Sequence, residues 1–225
     1  MKLAIVGAGI SGLGCALQLS KVPGIEITLY EGGDHIGGHS NTVDLTLSTN
    51  QETLTHGVDT GFLVFNRKTY PRLLKLFAEL DVPITESEMS FSVSTEIKAH
   101  QYLEWAGTNL NTLFAQRANL IRPSFLRMVS DILRFNKLST RLANSGQADE
   151  LSESVEEFLL KNRFSKEFRN WYFLPMIGAI WSCSVKQILD FPIASMIRFC
   201  HNHGLLQYLL FRLYQQKYDF LQVCF

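Results

Sequence analysis

The sequence predicts an α/β fold at the N-terminus followed by a mostly helical α+β part, on three observations. A short apolar run, Leu3-Ala4-Ile5-Val6, leads straight into Gly7-Ala8-Gly9-Ile10-Ser11-Gly12 and then into a stretch of helical periodicity. A second apolar run, Ile25 to Tyr30, ends on Glu31 and is followed by a second glycine pair, Gly37-Gly38. From about residue 109 the short, alternating segments give way to helical stripes.

Taken in order, residues 2–6 read as a buried parallel strand and 10–21 as a helix presenting Ile10, Leu13, Ala16 and Leu17. Pro23-Gly24 punctuates, and 25–30 is the second strand. Residues 41–47 and 52–58 alternate polar and apolar, which predicts two strands around a turn at Ser48-Thr49-Asn50-Gln51. Leu73, Leu74, Phe77 and Leu80 form a helical stripe between Tyr70 and Leu80. Phe91–Ser94 and Tyr102–Trp105 suggest a short hairpin. Pro123 opens a long helix, 123–143, with Phe125, Met128, Val129, Ile132, Leu133 and Phe135 on or near one face, stopped by Ser145-Gly146-Gln147. Ser152, with Glu153, Glu156 and Glu157 behind it, has the look of a helix start with acids at its positive end. Further helices are expected over 165–174 and 192–206.

The 225 residues suffice for one large or two small domains with a sizeable core. Lys plus Arg equals Asp plus Glu at 21 each, so nothing in the charge balance points to nucleic acid. Cys15, Cys183, Cys200 and Cys224 are scattered without a CxxC pair, which reads as a reduced, cytoplasmic protein. The longest apolar stretch, Trp171 to Cys183, holds Pro175 and Gly178 and is too short to span a bilayer. The 16 Phe either fill a core or line an apolar cavity, as does the stripe Trp171, Tyr172, Phe173 and Phe191; core filling is the simpler reading. His201 and His203, two apart on a helix, point away from each other, and no metal site is expected. His56 near Asp59 is a conceivable base, with a structural hydrogen bond the simpler role.

The first glycine cluster carries specific chemistry. Gly7 turns the chain out of the strand, Gly9 lets the backbone approach a diphosphate, and Gly12 permits close helix–strand packing, while the helix N-terminus offers free N–H groups. Ala8, Ile10 and Ser11 complete that loop. Glu31 lies nineteen positions past Gly12, where a carboxylate accepts hydrogen bonds from an adenosine ribose and disfavours a 2′-phosphate. These residues together predict a Rossmann-like dinucleotide site, with NADP disfavoured by charge. Gly37-Gly38 distinguishes FAD from NAD, because an ordinary helix is expected after the ribose carboxylate of an NAD dehydrogenase.

The segment Glu31 to Thr42 resembles the E-x5-G-G-R/H stretch of the flavin amine oxidase and phytoene desaturase superfamily, with His39 where many members have Arg. His39 could donate one hydrogen bond to phosphate without supplying a fixed charge, or pack the loop. Asp59-Thr60-Gly61 looks like the D/E-x-G segment that runs beside the cofactor in these flavoproteins. With Leu103–Gly107 and Met176–Ser182, the chain is similar over residues 1–207 to bacterial predicted NAD/FAD-binding proteins of that superfamily. The resemblance implies bound FAD and hydride transfer from an amine, a C–C bond or a lipid-like small molecule. It nominates no catalytic acid or base.

The resemblance also implies a layout: an incomplete FAD-binding Rossmann-like segment at 1–66, a largely helical substrate or cap domain at 67–207, and an atypical tail at 208–225. The superfamily's proteins are about twice as long, so this chain is expected to be C-terminally truncated. Tyr208 to Phe225, with 12 of 18 residues apolar or aromatic, reads as out of frame or as an amphipathic helix. Exposed sheet edges, weak FAD retention and aggregation are then expected. The other two readings are a non-catalytic fragment and an NAD-dependent dehydrogenase.

Overall fold

The computed structural model describes residues 1–49, 52–61, 64–87, 90–181, 183–207 and 220–223. It holds two compact units, Met1–Ser87 with Asp219–Phe225, and Glu88–Tyr218. In chain order, the first unit contains β1 (Lys2–Val6), α1 (Ile10–Ser20), β2 (Glu26–Tyr30), β3 (Thr42–Ser48), β4 (Thr53–Asp59), β5 (Phe65–Asn66), α2 (Pro71–Glu79) and β6 (Ile84–Ser87). The second contains β7 (Ser92–Lys98), β8 (Gln101–Ala106), α3 (Leu110–Leu113), α4 (Pro123–Asn144), α5 (Val155–Lys161), α6 (Lys166–Phe168), α7 (Leu174–Trp181), α8 (Val185–Asp190) and α9 (Ile193–Asn202). The strand β9 (Phe220–Val223) returns to the first unit.

β1 and β2 pair in parallel, Lys2 opposite Glu26 and Val6 opposite Tyr30, with α1 as the crossover between them. The expectation of buried strands is corrected here. Leu3, Ile5, Ile27 and Leu29 are half-buried, but the alternate residues face outward, Val6 86 % exposed and Tyr30 57 %. The reason is that this sheet has two strands, whereas a parallel sheet is normally covered on both faces. β3 and β4 form the expected hairpin, Thr42 opposite Asp59. One of its faces carries Val43, Leu45, Leu47, Leu54 and Val58, all exposed, and the other carries Thr42, Asp44, Thr46 and Thr55. Asn50 and Gln51 of the expected turn lie outside the described residues.

β5, β9 and β6 form an antiparallel sheet with β9 in the middle. β9 falls in the stretch expected to be out of frame or helical; residues 208–219, 224 and 225 of that stretch lie outside the described residues. Phe65 is buried and meets Phe77 of α2 edge-on, 5.4 Å between centroids. Lys21, just past α1, pairs with Glu79 at the end of α2.

The second unit owns the large core. α4 contributes Phe125, Met128, Ile132 and Phe135, spaced three, four and three residues apart along one face. Phe135 is fully buried and touches Phe158, Phe164, Phe168 and Phe173 at 5.3–6.4 Å between centroids. These five rings are thus packed against one another. Tyr172 and Phe173 belong to this core, and Phe191 packs on Trp181, so the aromatic stripe reads as packing. Leu133 faces outward, while the buried face of α4 also takes Asp131, Asn136 and Ser139. Asp131 is satisfied by the Ser165 N–H and the Arg134 guanidinium. Asn136 and Ser139 keep side-chain polar atoms without a hydrogen-bond partner among the described residues.

Two local features differ from expectation. The helix expected to start at Ser152 starts instead after Ser154. There the Ser154 hydroxyl accepts from the Glu157 N–H and the Glu157 carboxylate accepts from the Ser154 N–H, a closed capping box. The helix expected over 165–174 runs on through α7, with a π-helical stretch at Arg169–Phe173. Pro175 accounts for it: a proline ring collides with the carbonyl four residues back, and widening the preceding turn relieves the collision. The Leu174 N–H accordingly reaches five residues back to the Arg169 carbonyl.

Candidate functional site

The site grows from the junction of β1 and α1. The Gly7 N–H donates to the Tyr30 carbonyl at 2.7 Å, which holds the start of the loop against the end of β2. Gly9 sits extended before Ile10, no side chain caps α1, and no acid occupies its first turn. The first N–H groups of a helix have no partners inside it and carry a partial positive charge. The N-terminus of α1 is therefore open to an anion, with Ser11 exposed on its first turn and Ile10 48 % exposed. Gly12 packs so tightly on the loop that an added Cβ would lie 1.9 Å from the Gly7 carbonyl oxygen. Its role in close packing, read from the sequence, has this contact as its physical basis.

The two glycine clusters meet directly. The Gly37 N–H donates to the Ala8 carbonyl at 2.8 Å, and Gly9 and Gly37 form a parallel bridge. Gly38 lies against Gly9, such that a Cβ on Gly38 would come 3.1 Å from Gly9 Cα. At φ 121° Gly37 also takes a backbone conformation open to glycine, with the Ser40 carbonyl oxygen 2.4 Å from where a Cβ would stand.

Glu31 ties these loops together. One carboxylate oxygen accepts from the Ala8 N–H at 2.6 Å, and the other from the Gly32 and Gly33 N–H groups at 2.8 Å each. The Gly33 N–H foremost, then that of Ala8, hold the carboxyl below its ordinary range, so it stays ionised. The Ala8 bond leaves a lone pair on Oε2, the one feature by which Glu31 could take a ribose hydroxyl.

The third segment arrives with the hairpin. Asp59 Oδ1 accepts from the Thr42 hydroxyl at 2.6 Å, and both the N–H and hydroxyl of Thr60 donate to the Asn41 carbonyl at 2.9 Å. Gly61 follows, its Cα so close to His39 that a Cβ would come 1.7 Å from the His39 carbonyl oxygen. Gly7 to Gly12, Glu31, Gly37 to His39 and Asp59 to Gly61 are thus brought to one place. Phe62 and Leu63 lie outside the described residues.

The structure does not unite His56 with Asp59. Three residues apart on β4, they project to opposite faces, His56 with Leu45 and Asp59 with Thr42. In the second unit His203 Nδ1 is engaged by the Phe199 carbonyl and its ring stacks on Phe199. No group of three His, Cys, Asp or Glu side chains suited to a metal occurs among the described residues. No helix among them is long and apolar enough to cross a membrane.

One residue escaped the sequence reading. His35 bridges the second glycine loop, Nδ1 at 3.0 Å from Asp34 Oδ1 and Nε2 at 3.2 Å from the Gly38 carbonyl oxygen. The signal was an Asp-His pair inside a glycine segment, legible only once the loop closes on itself.

Comparison with known proteins agrees with this geometry. Residues 5–80 match the family described as an NAD(P)-binding Rossmann-like domain. Among solved structures the chain is similar to a triple mutant of putrescine oxidase from a redesign of its cofactor binding, with a TM-score of 0.57 and 18 % identity. That match covers 98 % of this chain and 45 % of the oxidase. The wild-type putrescine oxidase bound to putrescine matches with a TM-score of 0.55 and 18 % identity, over 99 % of this chain and 46 % of the other. The chain therefore spans less than half the length of these oxidases. No curated protein matches the sequence. Residues 5–80 thus carry a Rossmann-like match, and the chain shares its fold with part of putrescine oxidase.

Proposed function

We propose that residues 7–12, 31–39 and 59–61 form the AMP and diphosphate end of an FAD site, in an oxidoreductase of the amine oxidase type. The observation that carries the proposal is the direct packing of the second glycine cluster on the first, Gly37 on Ala8 and Gly38 on Gly9. It extends the bare backbone beyond what the α1 loop alone offers. The residues fit the group: an uncapped helix N-terminus for the diphosphate, an ionised carboxylate with a spare lone pair for the ribose, and glycines where the loops that carry them pack on one another.

In this reading Gly9 to Gly12 bind the diphosphate through main-chain N–H groups. Glu31 orients the ribose and repels a 2′-phosphate. Gly38 and Gly61 let the three segments pack backbone on backbone around the cofactor, Gly38 on Gly9 and Gly61 on His39, and His39 donates to phosphate. When bound, the flavin accepts a hydride from the substrate. The substrate is an organic small molecule; the likeness to putrescine oxidase favours an amine. Phe135, Phe158, Phe164, Phe168 and Phe173, part of the aromatic content that suggested a lipid-like substrate, pack on one another in the second unit.

A second reading, NAD(H) binding, draws on the description of the matched family. A titration separates the two. FAD added to purified protein should show saturable quenching of flavin fluorescence, with NADH a much weaker competitor. Saturable binding of NADH together with no binding of FAD would overturn the proposal.

A further inference from the structure

His35 is the one titratable side chain of the glycine loops whose two ring nitrogens both face acceptors. Asp34 Oδ1 is a carboxylate oxygen and the Gly38 oxygen is a main-chain carbonyl; neither has a proton to give. A neutral imidazole carries one N–H and can satisfy only one of them. Both contacts are made together only by the imidazolium, which donates from Nδ1 and from Nε2. The bond to Gly38 fixes the peptide that leans on Gly9, at the point where the two glycine clusters touch.

We propose that His35 is a positioning residue for the dinucleotide site, a protonation-dependent latch that holds the second glycine loop closed on the first. The inference rests on the FAD reading above and deepens it by naming what regulates the site. The charged groups acting on His35 are Asp34, which holds its Nδ1–H, and Glu31, whose carboxylate adds a weaker attraction. Asp34 foremost, then the Gly38 carbonyl, raise the affinity of the ring for its proton above the ordinary histidine range, while Asp34 is itself held below the carboxylate range. The sign follows. With the folded-state value raised, the latch is fully made below the ordinary histidine range. It is lost as pH rises through the raised value. Its loss frees the Gly38 carbonyl at the contact of the two glycine clusters and removes a positive charge from that loop, so dinucleotide affinity falls with rising pH.

An imidazolium at position 35 puts a cation in the second glycine loop, one that can be switched off.

The test combines a ligand-free and a ligand-bound measurement. In the free protein, NMR titration of the His35 ring should show a midpoint above the ordinary histidine value, with the Gly38 and His39 amide resonances moving at that same midpoint. By calorimetry, FAD affinity of the wild type should fall several-fold between pH 6 and pH 8.5. His35→Gln should bind with the lower affinity throughout and lose that pH dependence. Asp34→Asn should move the midpoint down toward the ordinary value, which guards against reading a misfolded variant as a result. If His35 titrates at or below the ordinary value, or if H35Q keeps the wild-type pH profile, the latch is refuted while the FAD site stands. If FAD binds at no pH while NADH does, the FAD reading fails and the proposed control of it fails too.

Discussion

Placing alanine at Gly12 and, separately, at Gly14 puts the same chemical change into the same helix with opposite consequences. Both positions lie in α1, so each gains roughly 1 kcal/mol of helix propensity when glycine becomes alanine. A Cβ on Gly14 meets nothing within 4 Å. A Cβ on Gly12 would stand 1.9 Å from the Gly7 carbonyl oxygen, a backbone atom that cannot rotate aside. Ordinary contact begins at 3.4 Å, so α1 and the glycine loop must separate by about 1.5 Å. Forcing such a rearrangement costs roughly 1–3 kcal/mol, and the propensity gain cancels when the variants are compared with each other. G12A should thus be less stable than G14A by about that amount, which speeds opening of the first unit roughly 5- to 150-fold. The assay is amide hydrogen exchange along β1, α1 and β2. Tryptophan fluorescence would be blind, because Trp105, Trp171 and Trp181 all lie in the second unit. FAD affinity should fall in G12A and hold in G14A. Equal exchange in the two variants would refute the close approach of Gly12 to the loop.

Replacing Glu31 by Gln removes the charge that three main-chain N–H groups share, and should weaken FAD binding by roughly tenfold. Because the folded-state value of Glu31 is depressed, its contribution is present above the ordinary carboxylate range and lost as pH falls through the lowered value. Protection factors in β1 and β2, corrected for the intrinsic exchange rate at each pH, should then fall in acid for the wild type and less steeply for E31Q. Burial pushes the Cys200 thiol up to about 12, whereas Cys15 is exposed. Alkylation at pH 8 followed by peptide mass mapping should label Cys15 within minutes, and Cys200 only after denaturant is added. Asn136→Leu removes two buried side-chain atoms that have no partner, so urea unfolding followed by tryptophan fluorescence should show no loss and a gain of up to about 1 kcal/mol.

What the sequence makes legible is what is decided locally. The apolar run before Gly7, the helical spacing after Gly12 and the alternation through residues 41–58 each specify an element from within a few residues, and β1, α1, β2 and the hairpin follow. The capping box was also local, since Ser154-x-x-Glu157 has the spacing that Ser152 lacks. Long-range features were not legible. β5 and β6 are held by β9, more than 130 residues farther along the chain, and no nearby pattern announces that pairing. The outward face of β1 follows from how many strands flank it, which no residue of β1 encodes. At the site, the glycine positions were readable because each one marks a place where backbone needs room. The second job of Glu31, holding Ala8, and the bridging by His35 depend on contacts between residues 23 and three positions apart, respectively, made only when the loops close.

If three sequence segments assemble into one FAD site, amide chemical-shift mapping with FAD, NADH and NADPH will show it. FAD should shift the resonances of Ala8 to Gly12, Gly32 to His39 and Thr60 to Gly61 together, along one saturation curve, and NADPH should leave them in place. If FAD moves none of them, or moves the first segment without the other two while NADH moves it equally well, the site is not built for FAD.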